Sequence, residues 1–405
     1  MAQSLILTHL NLNKYFTMNN KLPACVAPWV NTYEWSDGTI TPCCEWDAKS
    51  DYAIKSPTHM SFEERFKHPS METIKSDLLT KSIKDIKGCN NCYRNELVGT
   101  ESMRQDLDRM IKHNNVEIDL DNFQLLSMDY RESNVCNFSC KMCGPSLSST
   151  HAMIDKKYNP HGYNGIRKGI IKNPHKLQMY LDQLDNIKML NLLGGEPTLM
   201  DSTYVILNEI RKRGLQNQIT MSIVTNASTL HREKDNLIPL LDGFKFASIS
   251  ISIDVVNEQH NYWRQKGTWD TVWSNVQELY EFVKTMPNNY SMQTRTALSW
   301  PTSYAARGVW DLFKENDMKV KHIWNMVTRP YHLCIAQLPQ SELDKLVEHW
   351  KDYPDVQQAF KKIKSNPNSV ELMRGKRNIL RFDDWHKNSF LETFPEHSHM
   401  WNNIG

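Results

Sequence analysis

The stretch "NVCNFSCKMCGPS", residues 134–146, places Cys136, Cys140 and Cys143 in a C-x3-C-x2-C spacing shortly after the strand-like run "FQLLSMDY" (123–130). Three thiolates on one short loop can wrap a cuboidal metal–sulfur cluster, for which thiolates are the usual protein ligands. A 4Fe-4S cube has four irons, so three protein ligands leave one iron open. An open coordination position is what separates a catalytic metal site from a structural one. A zinc site is the competing reading, but it requires a fourth ligand, and the nearest histidine downstream, His151, stands eight residues beyond Cys143.

From about residue 123 onward, strand-like and helix-like segments alternate. The strand candidates are "FQLLSMDY", "IKMLNLL", "QITMSIVT", "FASISISI", "YSMQTRTALSW" and "KVKHIWNMV", rich in β-branched and apolar residues. Between them lie amphipathic stretches such as "DSTYVILNEIRKRG", opened by Asp201 and stopped by Gly214, and "TWDTVWSNVQELYEFVK". This alternation predicts right-handed βαβ units and a parallel sheet. Six units are too few for a closed eight-stranded barrel and suit an open, curved (β/α)6 one. Ligands of parallel βα folds gather at the carboxyl ends of strands, which is where the motifs fall.

The second motif ends the next strand. "LNLLGGEPTL" puts Gly194, Gly195, Glu196 and Pro197 ahead of the helix that opens near Asp201. Paired glycines let the backbone approach a ligand closely, Glu196 offers an acceptor for a cationic amine, and Pro197 stiffens the turn. An isolated Gly-Gly is an ordinary strand-to-helix turn. One βα unit after a three-cysteine loop, it becomes the second half of a site.

Together "CNFSCKMC" and "LLGGEP" resemble the radical S-adenosylmethionine (radical SAM) superfamily, over about residues 120–335. The resemblance implies a 4Fe-4S cluster on Cys136, Cys140 and Cys143, whose fourth iron chelates the amino and carboxylate groups of SAM. Gly194, Gly195, Glu196 and Pro197 would then line the SAM site. It also implies reductive cleavage of SAM to methionine and a 5'-deoxyadenosyl radical that takes hydrogen from a substrate. The electron would come from a reductase or a flavodoxin- or ferredoxin-type donor. Met142 stands where the family often has an aromatic, near the adenine. "SISID" offers Ser252 and Asp254 to the SAM ribose, and "VTNAS" and "RTALSW" bring Asn226 and Arg295 toward SAM or substrate; each is equally a strand-end polar group facing water.

Eight of the nine cysteines lie within the first 143 residues, whereas cysteine used as core filler would be scattered. Cys25, Cys43, Cys44, Cys89 and Cys92 form a set apart from the cluster loop. Four of the five complete an all-thiolate site, leaving one of Cys43 and Cys44 spare. Spacing alone leaves open a structural zinc ribbon or an iron–sulfur centre. "CVAPWVNTYEWSDGTITPCC" and "GCNNCYRNELVGTESMR" resemble the auxiliary-cluster modules called SPASM and Twitch, here ahead of the barrel. That resemblance implies an auxiliary iron–sulfur cluster acting as an electron relay, and with it the oxidative modification of a peptide, protein or small metabolite. Asp37-Gly38 reads as a hairpin turn. Two helical stretches follow, from Ser61 and from Ser70, the second running to Gly88.

The expected class is therefore α/β. A small N-terminal α+β auxiliary-cluster domain of the Twitch/SPASM-like kind occupies residues 1–122, a partial (β/α)6 radical SAM barrel 123–335, and a helical C-terminal extension 336–405. Forty-eight Lys and Arg against 46 Asp and Glu leave a formal charge of +2, which argues against a chain built to coat nucleic acid. The N-terminal "MAQSLILTHLNLNKYF" lacks an export signal, and no run reaches the roughly 18 apolar residues of a membrane helix. A reducing cytoplasm is the expected compartment, where clustered cysteines serve as metal ligands or redox groups.

Two rivals remain: SAM-dependent rearrangement or group transfer without net oxidation, and a zinc-stabilised binding module that is not an enzyme. "KYNPHGYNGIRKG" (157–169) reads as a loop. Cys334 and most tryptophans read as packing, and His397 and His399 lack a third ligand. Arg264 in "NYWRQKG" reads as a surface salt bridge ahead of a clamp for a substrate carboxylate.

Overall fold

The computed structural model describes residues 23–35, 37–47, 50, 52–55, 60–97, 101–158 and 175–402. The first 22 residues, and the loop expected at 157–169 from residue 159 on, lie outside the described residues. Two compact units form, one from the described residues up to 35 and from 39 to 128, the other from 37–38 and 129–402.

In the first unit, β1 (Tyr33–Glu34), β2 (Thr39–Thr41) and β3 (Ile54–Lys55) make an antiparallel sheet. Gly38, at φ 81°, turns the chain between the first two, as a type of backbone that costs glycine nothing. Ser61 opens the helix Phe62–Phe66 with a reciprocal capping box to Glu64. The next helix runs Pro69–Thr80, capped by the His68 ring, and not on to Gly88 as expected. "SIKDIKG" has only two apolar residues, too few to hold a helical face, and folds as two short 3-10 turns, Ile83–Asp85 and Lys87–Cys89. Gly88 brings the backbone flat against Trp46; a Cβ there would lie 2.1 Å from the indole.

The second unit is built on β4 (Ser127–Arg131), β6 (Met189–Leu193), β7 (Thr220–Thr225), β8 (Phe246–Ser252), β10 (Tyr290–Leu298) and β11 (Lys321–Met326), with β5 (Ser139–Cys140) and β9 (Arg264–Gln265) forming a separate small ladder. The six strands form one parallel sheet in the order β11-β10-β8-β7-β6-β4. All six strand candidates are in it. The first pairs only from Ser127, because the Gln124 and Leu126 N–H groups donate to the Trp29 and Val30 carbonyls instead.

Alternation along the strands sorts the side chains onto two faces. Leu190, Leu192, Met221, Ile223, Ile249 and Ile251 are buried, and on the same face Tyr290 stacks on Phe282 of the helix Trp269–Thr285. Each such burial contributes about 1.5–3 kcal/mol. The opposite face is polar and, apart from the buried Ser250, half-open: Asn191, Ser222, Ser248 and Ser291 lie in one row of register partners, and Ser250, Gln293, Ser252 and Arg295 lie further along the strands. The expected helical tail is present as Gln340–His349, Pro354–Lys362 and Ser369–His386. Among the described residues no helix is long and apolar enough to cross a membrane.

Candidate active site

The two motifs meet through their backbones. The Gly195 N–H donates to the Ser133 carbonyl (3.2 Å) and the Glu196 N–H to the Val135 carbonyl (2.7 Å). A Cβ on Gly195 would sit 2.3 Å from the Val135 oxygen and 2.5 Å from that of Asn134, so only glycine permits this approach. The cysteine loop is tied to the helix that follows it: Ser149 and Thr150 hydroxyls donate to the Cys136 carbonyl, and the Ser148 hydroxyl to that of Phe138.

Glu196 is fully buried, with both carboxylate oxygens engaged. Oε1 accepts from the Thr198 N–H, the Thr198 hydroxyl and the Thr225 hydroxyl, and Oε2 from the Asn226 N–H at 2.7 Å. Burial nevertheless raises its pKa. The side chain expected to receive an amine also clasps the ends of β6 and β7 together. Pro197 is buried and opens a 3-10 turn to Leu199, while Gly194 and Met142 are half-buried.

The thiols fit a cationic cluster. Burial pushes Cys136 up to about 12, so it ionises at neutral pH only when a metal takes the place of its proton. Cys140 and Cys143 share a hydrogen bond that makes Cys143 the more acidic and raises Cys140, burial adding to the latter. Donors already face the sulfurs: the Phe138 N–H lies 3.5 Å and the Asn226 amide 3.9 Å from Cys136 Sγ, and Arg264 Nη1 4.0 Å from Cys140 Sγ. Such contacts orient and tune cluster ligands. Among the described residues no three His, Cys, Asp or Glu side chains converge on a single-ion position.

Several strand-end residues are placed differently from expectation. Asp254, foreseen at a SAM ribose, has its Oδ2 bonded to Arg264 Nε and Nη2, each at 2.8 Å, and its Oδ1 accepting the Ala297 N–H. The Arg264 pair is buried, with side-chain exposures of 9% and 0%, which corrects the expected surface salt bridge: β9 carries Arg264 inward beside the cysteine loop. Asn226 is buried against Asn137 and Cys136 and does not face water. Ser252 and Arg295 are register partners, both half-buried on the polar face. Lys141, which the motif reading passed over, is buried with its ammonium 3.8 Å from the Tyr262 ring and 3.5 Å from Asp383. Neither it nor Arg264 has a spacing signal, because their partners lie on distant segments.

The first unit gathers Cys25, Cys43, Cys89 and Cys92 around one cavity with Trp46, Gly88 and Arg104; Cys44 is not among its lining residues. Burial raises all four thiols, Cys89 to about 12. Arg104, in a 2.5 Å ion pair with Glu96, is the nearby cation. Cys334 is buried with Sγ toward the Pro330 carbonyl. His397 and His399 go separate ways, to the Pro301 carbonyl and to Glu342.

Residues 132–292 match the model of the Radical SAM superfamily, a span that holds both motifs, so the chain carries a Radical SAM domain. No curated protein matches the chain. Similar solved structures include Streptococcus suis SuiB bound to S-adenosylmethionine, at 17% identity and TM-score 0.38, covering 72% of this chain and 61% of that one. Native anSMEcpe with bound AdoMet and Cp18Cys peptide is 20% identical, TM-score 0.35, over 56% of this chain and 60% of that one. TYW1 with a lysine-pyruvate adduct bound is 16% identical, TM-score 0.30, over 54% and 70%. This chain therefore spans less than two thirds of the length of the first two.

Proposed function

We propose that this chain is a radical SAM enzyme that oxidatively modifies a polar substrate, a peptide, protein or small metabolite. Cys136, Cys140 and Cys143 would hold a 4Fe-4S cluster, and the turn Gly194–Pro197 one side of the SAM site. The cluster and SAM supply, when bound, one-electron cleavage of the sulfonium and a carbon radical that removes hydrogen from the substrate. The chain's own residues do the rest. Asn226 and the Phe138 N–H orient the Cys136 sulfur, and the Glu196 clasp fixes the turn. The polar sheet face, with the half-buried Ser248, Ser252 and Gln293, the last donating to the buried Ser250 hydroxyl, would offer hydroxyl and amide partners to a guest.

The observation that carries this reading is the pair of backbone hydrogen bonds from Gly195 and Glu196 to the cysteine loop, which makes one site of two motifs. The four thiols around one cavity support an auxiliary iron–sulfur cluster of the Twitch/SPASM-like kind as electron acceptor. A reductase, flavodoxin or ferredoxin of the cytoplasm would deliver the electron that starts the reaction.

The test is anaerobic reconstitution, with iron, zinc and sulfide analysis and a Mössbauer spectrum, on wild type and on the Cys136, Cys140, Cys143 triple alanine variant. Wild type with dithionite should convert SAM to methionine and 5'-deoxyadenosine, and the variant should lose that activity and one cluster. Zinc in the first unit would remove the relay and keep the radical chemistry. A reconstituted wild type without iron would overturn the assignment.

A further inference from the structure

A two-residue ladder fixes Arg264 beside the cluster loop. β5 and β9 pair antiparallel with Cys140 opposite Arg264, and the Lys141 N–H donates to the Trp263 carbonyl at 2.9 Å. The backbone thus delivers the guanidinium to the sulfur, and the side chain does not wander to it. Nη1 lies 4.0 Å from Cys140 Sγ, while Nε and Nη2 both hold Asp254 Oδ2 at 2.8 Å. Asp254 is aimed in turn by the Ala297 N–H of β10 on its other oxygen. A relay of fixed contacts therefore runs from a strand of the main sheet, through a carboxylate and a guanidinium, to one cluster thiol.

Such a pair is a poor stabilising device. Desolvating two charges costs several kcal/mol per ion, and apolar groups of equal volume commonly do as well. What the pair does have is direction. The rigid guanidinium fork puts its positive end at the sulfur and its counter-charge on the far side. Lys141, the buried cation of the loop itself, points away, to Tyr262 and Asp383. The net charge and hydrogen bonds around the sulfurs are the levers by which a protein sets a cluster's potential.

We propose that Arg264 is a positioning residue that raises the reduction potential of the cluster held by Cys136, Cys140 and Cys143, and that Asp254 aims it and moderates its charge. This rests on the cluster assignment above. One electron arrives from an external donor and adds one negative charge beside Cys140. The guanidinium favours that charged state, and the Asp254 carboxylate opposes it.

The test is an anaerobic redox titration followed by electron paramagnetic resonance, without SAM or substrate, on reconstituted wild type, Arg264→Gln, Arg264→Lys and Asp254→Asn, each with its iron content. Removal of the cation in Arg264→Gln should lower the reduced fraction at a fixed poise by about tenfold, which is about 59 mV for a one-electron couple. Arg264→Lys should restore most of it. Asp254→Asn, which removes the anion and leaves the cation, should move the midpoint upward. Opposite signs from two partners of one ion pair cannot come from loosened packing. If the first unit holds an iron–sulfur cluster, its signal serves as an internal reference and should stay put. Equal signs, or no shift in variants with wild-type iron, overturn the proposal alone; a wild type that takes up no iron overturns the cluster assignment as well. If Arg264→Gln fails to load, Arg264→Lys must load near the wild-type midpoint, and its failure assigns Arg264 to the fold only.

Discussion

Glu196 Oε2 accepts the backbone N–H of Asn226 at 2.7 Å, joining the turn after β6 to the end of β7. Glu196→Ala leaves that donor and the Thr198 N–H buried without partners, at about 1–3 kcal/mol each. Denaturant unfolding of the metal-free protein should show a loss of about 3 kcal/mol, with no such loss in a surface control such as Glu281→Ala.

The adjacent cysteines Cys43 and Cys44 should part company. Cys43 faces the cavity shared with Cys25, Cys89 and Cys92, and Cys44 does not. On the proposed reading of a metal centre in the first unit, Cys43→Ser should lose that metal and Cys44→Ser should retain it, as read by metal and sulfide content after anaerobic reconstitution. Equal loss in both would remove the distinction.

Gly88→Ala forces a methyl into the Trp46 ring, which the Ser50 hydroxyl holds through the indole N–H at 2.7 Å. Overpacking of this kind costs about 1–3 kcal/mol. A lowered melting temperature is expected and, on the proposed reading of a metal centre in the first unit, weaker metal retention there, because Cys89 follows Gly88 directly in the chain.

Acid should weaken the second unit through histidines that are buried neutral. Burial pushes His397 and His322 from the ordinary 6.5 down to about 4. Between these values the unfolded chain binds the proton and the folded chain does not. The stabilisation is complete above pH 6.5 and is lost as pH falls through 4, at about 1.4 kcal/mol per pH unit for each ring. His397→Phe should reduce the slope of unfolding free energy against pH by about one such proton.

The six strands and both motifs could be read from the sequence, because periodicity and short spacings are local. "FQLLSMDY" was legible as a strand but not its late start, since the segment's first N–H groups are claimed by Trp29 and Val30. The ladder that brings Arg264 to Cys140 is only two residues long and leaves no period to find. The clasp role of Glu196 depends on Thr225 and Asn226, about thirty positions away, and a carboxylate's partners are not written in its own neighbourhood. The choice between Cys43 and Cys44 rests on which way the chain turns between Pro42 and Trp46, again a matter of three dimensions.

The polar face of the sheet has a property that bears on the radical chemistry proposed above. On β6, β7, β8 and β10, from the row Asn191, Ser222, Ser248, Ser291 to the carboxyl ends, its positions hold hydroxyls, amides, one guanidinium and the short aliphatics Leu193, Val224 and Ala297. Thiols, thioethers, phenols and indoles, the groups that most readily surrender a hydrogen atom or an electron, are absent from those positions. An alkyl radical of the kind proposed above, if formed over this floor, would meet none of those groups at these positions.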